Sequence, residues 1–91
     1  MDDEQKLSRQ RELGIQARQL LDSELLTAIF EGLKNSYIKG WAQSDKNDSK
    51  TREEQYFLLR ALMDVREEMK IICQNGETAE KFLESKRQLA A

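Results

Sequence analysis

Five apolar residues, Leu58, Leu62, Val65, Met69 and Ile72, stand four, three, four and three positions apart. That spacing is one lane of an α-helix and fits no strand, whose side chains alternate with a period of two. A lane that repeats every seven residues packs a helix at a shallow angle along another helix. No proline interrupts the lane, and none occurs anywhere in the chain. The chain is also rich in Leu, Glu, Lys, Gln, Arg and Ala, which favour helix. The expected class is all-α. Ala61 and Cys73 flank the seam, and Tyr56, Leu59, Met63 and Ile71 form a second, thinner stripe. One helix cannot cover both stripes, so a further helix or another subunit is needed.

The ends of the seam helix carry signals. Thr51-Arg52-Glu53-Glu54 reads as a capping box, and Gly76 reads as a left-handed C-cap, giving a helix to about Asn75. Its mate is the stretch Asp22–Ala42. Here Leu26, Ile29, Phe30, Leu33, Tyr37 and Trp41 share one arc, bordered by small residues at Ala28, Gly32, Ser36 and Gly40. Asp22 or Ser23 can cap that helix. The polar run Gln43–Lys50 suits a loop that reverses the chain. These elements predict an antiparallel two-long-helix hairpin with shorter N- and C-terminal helices. The N-terminal helix, about Glu4–Leu21, is sparse in apolar residues. Gly14 costs it about 1 kcal/mol relative to alanine, so it is expected to be mobile or held only against a neighbour. A short terminal helix capped by Thr78 docks through Phe82, Leu83 and Leu89, with Glu77 and Lys81 as a supporting pair. Residues 1–3 and the last few are expected to fray. The whole, residues 1–91, is expected to be one helical domain: N-terminal helix 1–21, hairpin 22–76 and C-terminal helix 77–91.

Ninety-one residues bury a modest fraction of their surface, and association is a common remedy. Two stripes offer themselves for self-association: the ladder Ala28, Gly32, Ser36 and Gly40, and the set Tyr56, Leu59 and Met63. Arg60 and Arg66 lie on the helix expected to pair with Tyr37 and Trp41. An arginine over the Trp41 ring is one arrangement, and Trp41 closing the end of the hairpin core is the other.

The chemistry of catalysis is missing. There is no histidine, and a single cysteine, Cys73, makes neither a disulfide nor a zinc cage. No phosphate-binding glycine loop or nucleophile elbow is present. The adjacent pairs Glu53/Glu54 and Glu67/Glu68 point apart on a helix. No catalytic residue, cofactor-binding residue or metal site is expected, and the chain is not expected to be an enzyme. The net charge is −2 and evenly spread, so no basic footprint for nucleic acid stands out. The N-terminal segment offers Lys6, Arg9, Arg11 and Arg18 as candidate phosphate contacts. The opening MDDEQ has no apolar run, and no stretch is apolar enough to span a membrane. These features and the lone cysteine fit a cytoplasmic protein.

The run LLDSELLTAIFEGLKNSYIKGW, the polar loop, and then TREEQYFLLRALMDVREEMKIICQNGETA resemble small helical proteins of the virion-assembly modules of tailed bacteriophages. The similar features are the LLDSELL junction, the Phe30/Leu33/Tyr37/Trp41 stripe, Arg52-Glu53 and the LLRALMDVR seam, over about residues 18–80. The resemblance implies a helical hairpin and a role in capsid or DNA-packaging machinery. Small terminase subunits of such viruses are similar in size and helix content, although no helix-turn-helix is evident here. The expected function is a non-enzymatic assembly or interaction protein that forms homo-oligomers in the host cytoplasm or on the virion. One alternative is a small-terminase-like packaging component that binds duplex DNA. The other is a small inhibitor that binds a host protein.

Overall fold

A computed structural model describes residues 2–90. The chain forms three helices, α1 (Asp3–Leu21), α2 (Glu24–Ala42) and α3 (Ser49–Ala90), and the described residues hold no strand. Helices α1 and α2 have 19 residues each and α3 has 42.

Short polar side chains set the helix starts. The Asp2 carboxylate accepts from the Glu4 amide at 3.3 Å, although residues 1–3 were expected to fray. Met1 and Ala91, also expected to fray, lie outside the described residues. Ser23 caps α2, its hydroxyl accepting from the Leu26 amide at 3.2 Å, while Asp22 closes α1. Helix α3 begins one turn earlier than the capping box suggests. The Asp48 carboxylate accepts from the Thr51 amide at 3.1 Å and from its hydroxyl at 2.6 Å. Thr51 thus lies inside the helix and donates its hydroxyl to the cap. A carboxylate that takes both donors is a stronger stop than the threonine oxygen alone.

Two compact units make up the chain. One holds α1 and the part of α3 from Glu68 onward; the other is Ser23–Glu67.

In the first unit Gly14 and Ala17 of α1 are buried, with Leu7, Gln10 and Leu21 half-buried on the same lane. Opposite them Cys73, Gly76, Ala79 and Leu83 of α3 are buried. The two glycines meet backbone to backbone. A Cβ built on Gly14 would lie 2.6 Å from the Gly76 Cα, and one on Gly76 would lie 2.6 Å from the Gly14 Cα. This contact corrects the reading of Gly76 as a C-cap. No glycine here has a positive φ, and α3 runs on through residue 76. The missing side chain serves close helix approach rather than a turn. Thr78 therefore caps nothing, and residues 77–90 are the last turns of α3 rather than a separate helix. Gly14, expected to weaken α1, is the residue that lets α1 approach.

In the second unit no residue is fully buried. Leu26, Phe30, Tyr37 and Gly40 of α2 are half-buried, as are Gln55, Leu59 and Leu62 of α3. The side chain of Gln55 lies over Gly40, where a Cβ would come within 2.7 Å of its Oε1. The covered lane of α3 thus differs from the expected seam. Leu62 belongs to both, but Leu58 and Val65 are exposed (44% and 56%) while Leu59 and Gln55 take the inner positions. The apolar pattern favoured Leu58; the space left by Gly40 favours the lane that contains Gln55.

Candidate interaction surfaces

Ion pairs border the crossing of α1 and α3 in the first unit. Arg18 donates to Glu77 at 3.1 Å and Arg11 to Glu80 at 3.5 Å; Glu80 also faces Arg87 at 3.7 Å. The hydrogen bond to Glu77 raises the Arg18 pKa above its ordinary value, with a further push from nearby Cys73. Glu77 therefore pairs across helices rather than with Lys81. All these groups are at least one-third exposed, so the pairs add little stability. Between them Gly14, Ile15, Cys73 and Gly76 floor an open hollow of about 750 Å³. The Cys73 thiol is buried and approaches Glu77 Oε1 at 3.8 Å.

The four candidate phosphate contacts do not act as a set. Arg11 and Arg18 are engaged by carboxylates, while Lys6 and Arg9 are exposed and take part in no ion pair among the described residues.

In the second unit, Tyr37, Ile38, Trp41, Gln55, Tyr56 and Leu59 line a groove of about 260 Å³. Trp41 is half exposed and shares this groove with Tyr56. Arg66 lies elsewhere, beside Phe30, Lys34 and Met63, and Arg60 faces Asp64 at 4.0 Å. Neither arginine is placed against Trp41. The groove holds no titratable pair suited to proton transfer, and its aromatic walls suit an apolar side chain. No group of three or more histidine, cysteine, aspartate or glutamate side chains among the described residues is arranged to hold a metal.

The candidate association residues fall on different surfaces. Ala28, Gly32 and Ser36 are exposed, and a Cβ on Gly32 would meet nothing within 4 Å. Gly40 is occupied from within by Gln55. Tyr56 and Met63 are exposed next to α2, whereas Leu59 is half-buried under it. The close contact of Gly14 with Gly76 was not among the expected sites. Its signal was present in the sequence. Leu7, Gln10, Gly14, Ala17 and Leu21 run at spacings of three and four, as do Met69, Cys73, Gly76, Glu80 and Leu83.

No helix among the described residues is long and apolar enough to cross a membrane. No known family matches the chain, and neither a curated protein nor a solved structure was found to resemble it.

Proposed function

We propose that this chain is a non-enzymatic helical assembly protein that works as a homo-oligomer. One observation carries the reading. Among the described residues only Ala17, Cys73, Ala79 and Leu83 form a buried apolar core, whereas large residues from Leu13 to Leu89 stand more than a third exposed. Scattered apolar side chains are ordinary on any surface. Here they outnumber the core, and the unit Ser23–Glu67 buries nothing fully. A pair of helices closes one seam and leaves a flank on each side; further helices close those flanks in a bundle. The proposal takes α2 and the first half of α3 as an antiparallel hairpin whose flanks meet other copies. The resemblance to tailed-phage assembly modules supplies the setting, the cytoplasm of an infected bacterium or the virion itself.

The test is the mass of the purified chain across micromolar concentrations. Association predicts a mass above 10.6 kDa that rises with concentration. A mass of 10.6 kDa throughout, with full helicity, overturns the proposal. The same measurement with duplex DNA tests the packaging alternative. That alternative draws less support, because two of its four cations already have carboxylate partners.

A further inference from the structure

We propose that Asn75 is a self-modifying site guarded by α1: when α1 leaves α3, the Gly76 amide closes on the Asn75 side chain, and the isoaspartate that results keeps α1 off. Of the three asparagines in the chain, Asn35, Asn47 and Asn75, only Asn75 precedes a glycine. The glycine matters because it has no Cβ to crowd its own nitrogen as that nitrogen attacks the preceding side chain. Asn75 is exposed, whereas Gly76 is buried. The leaving group therefore stands in solvent while the attacking atom lies under α1.

Water is the only co-reactant. Hydroxide from solvent takes the proton of the Gly76 amide, and the nitrogen forms a bond to Asn75 Cγ. The Cγ–Nδ2 bond breaks, and the side-chain nitrogen leaves as ammonia after taking a proton from water, which restores the hydroxide. A water molecule then opens the succinimide ring at either carbonyl. Opening at Cγ gives aspartate. Opening at the main-chain carbonyl gives isoaspartate, in which the chain runs through Cβ. The net change is an amide and a water converted to a carboxylic acid and ammonia, with no change of oxidation state.

Two features of the fold block the first step. Ring closure needs ψ of Asn75 to leave the helical value of about −42°, yet α3 runs unbroken from Ser49 to Ala90. The Gly76 N–H must also lose its proton, which the helical ladder donates to the Ile72 carbonyl four residues back. Helix α1 lies against that bond. A Cβ built on Gly14 would stand 3.3 Å from both the Gly76 nitrogen and the Ile72 oxygen. From the other side of the same contact, a Cβ on Gly76 would come within 3.0 Å of the Gln10 carbonyl oxygen. With α1 docked, neither a solvent base nor a change of ψ has room. Isoaspartate adds a backbone atom inside α3, so the ladder of hydrogen bonds loses register at residue 76. Gly76 then no longer meets Gly14, and the opening is recorded irreversibly.

The test follows each asparagine by peptide mapping of the intact protein at mildly alkaline pH, with and without urea. Folded wild type is expected to lose the Asn75 amide at least about tenfold more slowly than the urea-unfolded chain, because slow chemistry reads the fraction of time the segment is open. Gly14→Leu, which pries α1 from α3, is expected to speed the loss at Asn75 and to leave that at Asn47, in the other unit, unchanged. If Gly14→Leu loses its helical circular dichroism, the milder Gly14→Ala is read in its place. Chain carrying isoaspartate at position 75, formed in urea, separated by chromatography and refolded, is expected to melt below wild type. Asn75→Asp, which adds the charge without the extra backbone atom, is expected to melt with wild type. Equal Asn75 rates in the folded and unfolded chains overturn the guard. So does a folded Gly14 variant whose Asn75 rate matches wild type, or one that speeds Asn47 equally. Isoaspartate-bearing chain that melts like wild type, or like a destabilised Asn75→Asp, overturns the lock.

Discussion

Alanine at position 14 or 76 sets two effects of opposite sign against each other. Replacing glycine by alanine inside a helix gains about 1 kcal/mol of propensity. At these positions the new Cβ lands 2.6 Å from a backbone Cα, which cannot swing aside. The helices must separate, at a cost of about 1–3 kcal/mol, and Ala17 and Cys73 beside them lose contact too. Gly14→Ala and Gly76→Ala are therefore expected to lower Tm, as read by thermal circular dichroism. Gly32→Ala, with open space around it, should raise Tm or leave it unchanged. Gly40→Ala falls between, because its neighbour is the flexible Gln55 side chain. Equal effects at Gly32 and Gly76 would refute the close approach of α1 to α3. Among the buried residues, Leu83→Ala should cost about 2–5 kcal/mol in chemical unfolding, since Leu83 is the only large side chain in the buried core of the described residues.

At the scale of elements, the start of α3 makes a pH-dependent prediction. The hydroxyl and amide of Thr51 hold the Asp48 carboxyl below its ordinary 3.8, with a smaller push from Arg52. A lowered folded-state pKa means that the folded chain binds a proton less readily than the unfolded one. Stability from this cap is then present above the ordinary value and fades as pH falls through the folded one. Asp48→Asn keeps an acceptor oxygen and loses the charge, so the Tm difference between wild type and this variant should shrink below about pH 4. Asp48→Ala removes the cap and should lower Tm at neutral pH. A difference that is flat with pH would dismiss the charged cap. This start also shows what the sequence reveals at this scale. The all-helical class, the break at Asp22-Ser23 and the end of α2 at Ala42 followed from capping residues and period. The join at Gly76 did not, because a glycine followed by Glu-Thr is locally a good helix end. Only its opposite number, Gly14, some sixty residues away in the chain, decides that it sits inside a helix. The lane of α3 under α2 is hidden in the sequence for a related reason. The most apolar lane holds Leu58 and Val65, whereas the covered one includes Gln55, admitted by the bare backbone of Gly40.

For the whole molecule, the balance of buried and exposed apolar surface predicts how stability depends on concentration. Among the described residues, three small apolar residues and one leucine in the core supply little of the burial that 91 residues need to offset chain entropy. Under the proposed self-association, other chains supply further burial. Folding is then coupled to association, and mass action raises Tm with protein concentration. Melts from about 1 to 100 μM should show Tm climbing by several degrees. Added salt should have little effect on that climb, because the exposed surface that would associate is apolar rather than ionic. A Tm independent of concentration would mean that one chain is stable with its apolar flanks in water. The exposed residues would then be free to meet a different protein, as the inhibitor alternative requires. Binding to duplex DNA that weakens steeply with salt would separately favour the packaging role, with Lys6 and Arg9 as the first residues to change.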